Sequence, residues 1–254
     1  MTNVMESPLI IDIKRGSIDD GDGIRTVIFF KGCPLDCAWC HNPESKSRSQ
    51  EYFYDADRCL HCGRCYDFCP TGAFRPVGKR YTIDELVPVI REDMTYFGVS
   101  GGGVTFSGGE PALHMEFVGA LAKQLRGMGI SCALQTCGYF DCEKFSRLVL
   151  PYLDCILYDI KLFDPQKHIE YTGRDNRIIL DNLRLLCEKD VKLVPRTPLI
   201  PGFTDSAENM SGILGLLGEL GLAEKHRLLP YNPPGRKGQL LFPGALPLSA
   251  GVLA

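Results

Sequence analysis

The residues best equipped for chemistry in this 254-residue chain are its 12 cysteines, and their placement says more than their number. Seven lie between Cys33 and Cys69 in two tight groups, while Cys132, Cys137, Cys142, Cys155 and Cys187 are scattered and read as packed thiols. Neighbours two or three residues apart cannot easily pair, and a secreted disulfide framework would spread its bridges along the chain. Thiolates gathered on short loops suit a soft metal centre, because each iron or zinc takes several sulfur ligands. Cys59, Cys62, Cys65 and Cys69, followed by Pro70, have the C-x2-C-x2-C-x3-C-P spacing of a ferredoxin 4Fe–4S run. The plainer reading is a four-thiolate zinc site. No second run follows, so the four are expected to close on a single cluster or to borrow a ligand from elsewhere. Cys33, Cys37 and Cys40 form a group one thiolate short. Three cysteines on a 4Fe–4S cube leave one iron open to an outside ligand, as a catalytic zinc keeps a vacant position; an incomplete zinc knuckle is the plainer alternative.

The segments around these groups alternate between strand and helix patterns. "RTVIFF" (25–30) is a β-branched and aromatic run that leads straight into the three-cysteine loop. Further strands are read in "GVTFSGGEP", "SCALQTCG", "DCILYDIK", "VKLVPRTPLIP" and "KHRLLPYN". The helical patterns between them are "HMEFVGALAKQLRGMG", "CEKFSRLVLPYL", "NRIILDNLRLLCEKD" and "SAENMSGILGLLGELG". "TIDELVPVIREDMTYF" opens with Thr82 and has Glu85 three residues on, the signature of a capping box. Six βα units of this kind imply a parallel sheet with right-handed crossovers. Residues 51–81 interrupt the pattern as a small inserted domain. Residues 233–254 read as a short Pro/Gly-rich tail without helical periodicity. Cys33, Cys37, Cys40, the SGGE turn, Thr136, Asp159, Lys161, Arg196 and Asn232 all fall at or just past strand C-termini, the ligand-binding rim of parallel α/β folds.

Composition narrows the setting. At 44% hydrophobic and 23% charged the chain can fill a core, and its net charge of -3 offers no electrostatic case for nucleic acid or a membrane surface. Its longest apolar runs are too short and interrupted to span a bilayer, and the N-terminus lacks a long apolar stretch. A cytoplasmic monomer is expected.

C-x3-C-x2-C with Trp39 just before the third cysteine resembles the signature of the radical S-adenosylmethionine (SAM) superfamily. "DDGDGIRTVIFFKGCPLDCAWCHNPES" (19–45), "GGGVTFSGGEP" (101–111), "YDIK" (158–161) and "LLPYN" (228–232) are similar to the glycyl-radical-enzyme activating enzymes, in order and at family spacing. The resemblance covers residues 10–232 and implies an α/β fold, a partial (βα)6 TIM-like barrel with a small inserted ferredoxin-like iron–sulfur subdomain. It implies an oxidoreductase with a SAM-binding 4Fe–4S cluster on Cys33, Cys37 and Cys40 and one auxiliary 4Fe–4S cluster on Cys59, Cys62, Cys65 and Cys69. In the family, reductive cleavage of SAM yields a radical that takes a Cα hydrogen from a glycine of a partner glycyl radical enzyme. A flavodoxin or ferredoxin is the implied electron donor. By the same resemblance Gly108, Gly109 and Glu110 hold the SAM amino group and Lys161 its carboxylate. Trp39, His41, Thr136, Asp159, Arg196 and Asn232 belong to the SAM pocket, and Asp20 contacts the partner's glycine loop. In the family an aspartate on the strand before Asp159 helps bind a monovalent cation; here Gln135 stands in its place, without the charge. Two other classes share part of the pattern: a radical SAM enzyme acting on a small molecule, and a ferredoxin-like electron carrier.

Overall fold

Runs of apolar and β-branched residues put both faces of the central strands out of water, and the chain order follows from that. The computed structural model describes residues 6–65, 69–231 and 239–241, the last three by their backbone. Strand β1 (Leu9–Ser17) turns back antiparallel on β2 (Arg25–Phe30). An excursion then carries β3 (Tyr52–Tyr54) and β4 (Phe74–Pro76), and β5 (Lys79–Arg80) returns to pair with β1. Helices α1 (Ile83–Arg91) and α2 (Met94–Ser100) lead to β6 (Gly103–Gly108) and α3 (Met115–Gly127). Next come β7 (Ser131–Thr136), α4 (Cys142–Leu148), β8 (Cys155–Asp159), α5 (Pro165–Thr172) and α6 (Arg177–Cys187). The series closes with β9 (Lys192–Leu199), α7 (Ala207–Glu219), β10 (Arg227–Pro230) and β11 (Gln239–Leu241).

The main sheet runs β10-β9-β8-β7-β6-β2-β1-β5, with the six strands from β2 to β10 mutually parallel. This is the expected partial TIM-like barrel, with β1 added antiparallel at one edge and β5 antiparallel to β1 beyond it. Alternation along each strand sorts the side chains. Ile28, Phe30, Phe106, Leu134 and Ile156 point to the helix layer and pack with Leu121, Leu125, Phe145, Leu183 and Ile213, all fully buried. Each such burial stabilises the fold by about 1.5–3 kcal/mol. The opposite set lines the barrel: Ala133, Cys155, Leu157 and Val194 form a second apolar cluster. Ser107, Gln135 and Asp159 lie toward the strand C-termini above it.

The expected capping box forms: the Glu85 amide donates to Thr82 Oγ1 (3.2 Å) and the Thr82 amide to Glu85 Oε2 (2.8 Å). The helical stretch that follows is broken into α1 and α2. The carboxylate of Asp93, buried at the break, accepts from Arg15 of β1 (Nε, 2.9 Å) and from Thr26 of β2 (Oγ1, 2.5 Å). Two pairings lie at the margins. Lys79 and Arg80 pair with Ile10 and Leu9, which joins them to the main sheet. The Pro/Gly-rich tail supplies β11, which pairs antiparallel with β3 and completes a three-stranded insert sheet, β11-β3-β4. Its three residues are too short a run to stand out from the prolines and glycines around them. No helix among the described residues is long and apolar enough to cross a membrane.

Candidate functional site

Phe30, the last residue of β2, delivers the chain to the three-cysteine loop at the C-terminal rim of the parallel sheet. The loop is tied down from several sides. The amides of Gly32 and Cys33 donate to the carbonyls of Ser45 (2.7 Å) and Lys46 (2.9 Å), closing residues 33–45 at their base. The amides of Asp36 and Ala38 donate to the carbonyls of Thr172 (2.8 Å) and Tyr171 (2.9 Å), orphan acceptors at the end of α5. Lys46 Nζ donates to the Cys37 carbonyl (3.0 Å). Helix α5 stands beside the loop and holds it; along the chain it is marked only at its ends, by the N-cap Asp164 with Pro165 after it and by Gly173 in the left-handed conformation.

Across from the loop, β6 ends in Gly108 and Gly109. Gly108 has φ +109°, and a Cβ there would come within 2.3 Å of the Phe30 backbone; one on Gly109 would lie 2.1 Å from the Gly32 carbonyl. Only glycine allows this turn to lie against the base of the cysteine loop. The amides of Gly109 and Glu110 donate to the carbonyls of Phe30 (2.8 Å) and Gly32 (2.7 Å).

These walls enclose a cavity of about 380 Å³, within the range of roughly 300–1,000 Å³ typical of small-molecule sites. Cys33, Cys37, Cys40, Trp39, His41, Gly108, Gly109, Thr136, Asp159 and Lys161 line it, together with Ser107, Gln135 and Cys137. Most of the expected site residues therefore share one wall or another of a single cavity. Lys161 Nζ donates to Asp159 Oδ2 (3.2 Å), and Arg196 donates twice to Asp159 Oδ1 (2.9 and 2.7 Å). Burial works against both charges, yet the two cations hold the Asp159 carboxyl below its usual range. The Asp159 carboxylate and the nearby sulfurs likewise raise Lys161 above the ordinary lysine value.

Three expected site residues sit outside the cavity wall. Glu110 is fully buried, and its carboxylate is taken up internally: Thr136 Oγ1 donates to both oxygens (2.9 Å each), the Cys137 amide to Oε2 (2.7 Å) and the Ala112 amide to Oε1 (3.0 Å). Burial pushes this carboxyl up against the pull of those bonds. These bonds join the glycine turn to the end of β7. Arg196 acts behind the cavity, on Asp159. Asp20 lies behind the cavity wall, where its Oδ1 accepts from Gln135 Nε2 (2.6 Å) and Gln135 Oε1 accepts from Ser107 Oγ (2.6 Å). Asn232 lies outside the described residues.

Cys137, one of the scattered thiols, is not merely packing: the structure places it on the cavity wall, packed against Leu35 and Cys37 beside Cys33. Its position one residue past the end of β7 is the signal along the chain that could have found it. The neighbouring Cys137 thiol, as a hydrogen-bond donor, lowers the Cys33 thiol, whereas burial pushes Cys37 up to about 11. Three thiols on one wall, with a cation and backbone amides nearby, form a donor set that fits a cluster ligated through Cys33, Cys37 and Cys40.

The insert offers a second thiol group. Residues 66–68 lie outside the described residues, but Cys59, Cys62, Cys65 and Cys69 are near enough that the sulfurs of the other three add to burial in raising the Cys65 thiol. Backbone amides already point at two of these sulfurs: His61 at Cys59 (3.4 Å) and Phe74 at Cys69 (3.3 Å). Such donors favour the thiolate form of these two sulfurs.

Comparison with known proteins agrees with this geometry. The Radical SAM superfamily matches residues 27–211. The chain is 42% identical over 229 residues to the pyruvate formate-lyase 2-activating enzyme of Escherichia coli, covering 89% of this chain and 78% of that protein. It is 37% identical over 262 residues to the trans-4-hydroxy-L-proline dehydratase activating enzyme of Clostridioides difficile, covering 91% and 86%. The solved structure of Streptococcus suis SuiB bound to precursor peptide SuiA superposes with a TM-score of 0.57 at 13% identity, over 81% of this chain and 39% of that one, a likeness of fold. By its cysteine loop, its glycine turn and this relatedness, the chain belongs to the radical SAM superfamily, among the glycyl-radical-enzyme activating enzymes.

Proposed function

We propose that this protein is an activase: it generates a radical from SAM and uses it to remove a Cα hydrogen from a glycine of a partner glycyl radical enzyme. The observation that carries the reading is that Cys33, Cys37 and Cys40 face the Gly108–Gly109 turn and Lys161 across one cavity. When bound, the cluster supplies the electron that splits SAM, and the SAM-derived radical takes the hydrogen. The chain's own residues then have defined tasks. Cys33, Cys37 and Cys40 would ligate the 4Fe–4S cluster, one thiolate fewer than its irons. Lys161 meets the carboxylate of SAM. The glycine turn brings backbone groups close to the amino end, with Glu110 and Thr136 holding that turn in place. Trp39, His41 and the apolar residues Leu35, Ile200 and Leu229 keep water from the wall where the nucleoside lies.

Cys59, Cys62, Cys65 and Cys69 hold one auxiliary cluster in this reading, and a flavodoxin or ferredoxin in the cytoplasm supplies the electron. Asp20, whose carboxylate also accepts from Gln135, is assigned to the contact with the partner's glycine loop. With the Gln135 amide engaged by Asp20 and Ser107, and Asp159 engaged by two cations, the groups for a monovalent cation are already committed. The test is anaerobic reconstitution followed by SAM addition. Electron paramagnetic resonance of the reduced cluster should shift with SAM, and 5′-deoxyadenosine should form. Cys37→Ala should lose both; a variant that still cleaves SAM at the wild-type rate overturns the assignment.

A further inference from the structure

Lys31, two residues before Cys33, is only 1% exposed. Its Nζ donates to the carbonyl of Glu44 (2.5 Å) and pairs with the carboxylate of Glu51, itself 3% exposed. Burying two charges is costly unless their geometry is good, and removing one partner leaves the other stranded; fixing register is the best-attested use of such pairs. Both ends of this one lie at a junction. The Lys31 backbone is pinned on each side, its amide donating to the Leu9 carbonyl (2.9 Å) and its carbonyl accepting from His114 Nε2 (2.8 Å). Glu44 belongs to the return of the cysteine loop, next to Ser45 and Lys46, which close that loop on Gly32 and Cys33. Glu51 stands at the neck of the insert. Its carbonyl accepts from the Val77 amide (2.8 Å) and from Gln50 Nε2 (2.8 Å), which also reaches the Val77 carbonyl (3.1 Å). One ammonium therefore joins the end of β2, the cysteine loop and the neck of the insert, where an apolar contact would be free to slide.

We propose that Lys31 and Glu51 are positioning residues that hold the insert, with Cys59, Cys62, Cys65 and Cys69, in one fixed relation to the loop of Cys33, Cys37 and Cys40. The inference rests on the reading that both groups carry clusters. The informative variant is Lys31→Met/Glu51→Leu, which removes both charges and strands neither. It is compared with the wild type as full-length protein, reconstituted anaerobically and fully reduced. Iron content, melting temperature, spin–spin coupling between the two reduced centres and amide exchange at Tyr52–Tyr54 and Phe74–Pro76 are measured.

The wild type should hold iron for two clusters and show coupling between them. The double variant should keep its iron and its melting temperature, lose or broaden the coupling, and exchange about tenfold faster at the two insert strands but not at β7 or β8. Coupling and exchange equal to the wild type overturn the proposal; a purely stabilising pair would instead change melting temperature and exchange everywhere. If the double variant fails to take up iron, Glu51→Gln, which keeps an acceptor without the charge, replaces it: faster exchange confined to the insert strands supports the proposal, and wild-type coupling and exchange overturn it. Iron for one cluster in the wild type overturns the two-cluster reading itself, and exchange at the insert strands then decides the positioning claim alone.

Discussion

Glu110 is a buried carboxylate surrounded by donors, and its neighbours define what any replacement must satisfy. Glu110→Gln keeps the size but must turn its NH2 toward either the Cys137 or the Ala112 amide, which only donate, because the two bond to different oxygens. The expected cost is about 1–3 kcal/mol in chemical denaturation, the penalty for unpaired buried polar groups. SAM affinity should fall with it, because the glycine turn is held by this carboxylate. Lys161 differs in kind, since its ammonium lines the cavity while Arg196 alone can keep Asp159 paired. Lys161→Met should leave the fold stable and weaken SAM binding roughly 10–100-fold, the worth of one charge-assisted hydrogen bond, as read by equilibrium binding. A variant that binds SAM as tightly as the wild type would remove Lys161 from the site.

At the scale of elements, the close contact of β6 with the base of the cysteine loop depends on residues without a Cβ. Gly109→Ala drives a methyl into the Gly32 carbonyl, and backbone cannot swing aside as a side chain can. A loss of about 1–3 kcal/mol is expected, with reduced iron uptake at Cys33, Cys37 and Cys40 as the local readout. The break between α1 and α2 brings a pH dependence. Burial alone would raise the Asp93 carboxyl, but the hydrogen bonds from Arg15 and Thr26 hold it below the ordinary value. A carboxyl lowered on folding contributes stability that is present above its unfolded value and is lost as pH falls through its folded one. Asp93→Asn should therefore lower the melting temperature at neutral pH and flatten the decline on the acid side, below the ordinary aspartate range. A decline as steep as that of the wild type would remove Asp93 from the account.

The whole molecule is a barrel with an insert completed from far along the chain. Strand β11 closes one edge of the insert sheet, so removing residues 238–254 should expose β3 and speed amide exchange at Tyr52–Tyr54, while β6 to β9 keep their protection. Equal exchange in the truncated and full chains would show that β3 does not depend on this pairing. At the same scale, Cys59→Ser/Cys62→Ser should remove one cluster's iron and leave SAM-dependent spectral changes in place. Loss of both would mean that the insert is needed to assemble the barrel site.

Much of this protein is readable along the chain because the relevant signals are local. The two cysteine spacings, the glycine turn, the Thr82–Glu85 box and the alternation of the parallel strands all lie within a few residues of each other. They are enough to infer a parallel sheet and to set most of the site at its rim, while its curving into a partial barrel is what the resemblance to the radical SAM family implies. The remainder depends on contacts between residues far apart in sequence. Glu110 and Thr136 are 26 positions apart, Lys31 and Glu51 are 20, and Asp20 and Gln135 are 115; only the register of the strands and the path of the insert bring each pair together. Sequence identifies Glu110 as a group able to meet an ammonium, and the folded chain commits that carboxylate to its own amides. Folding also moves Cys137 from the packed thiols to the cavity wall and draws the tail into the insert. Spacing reveals which groups can act together on one short loop, but their final neighbours are set by which faces of distant strands must leave water.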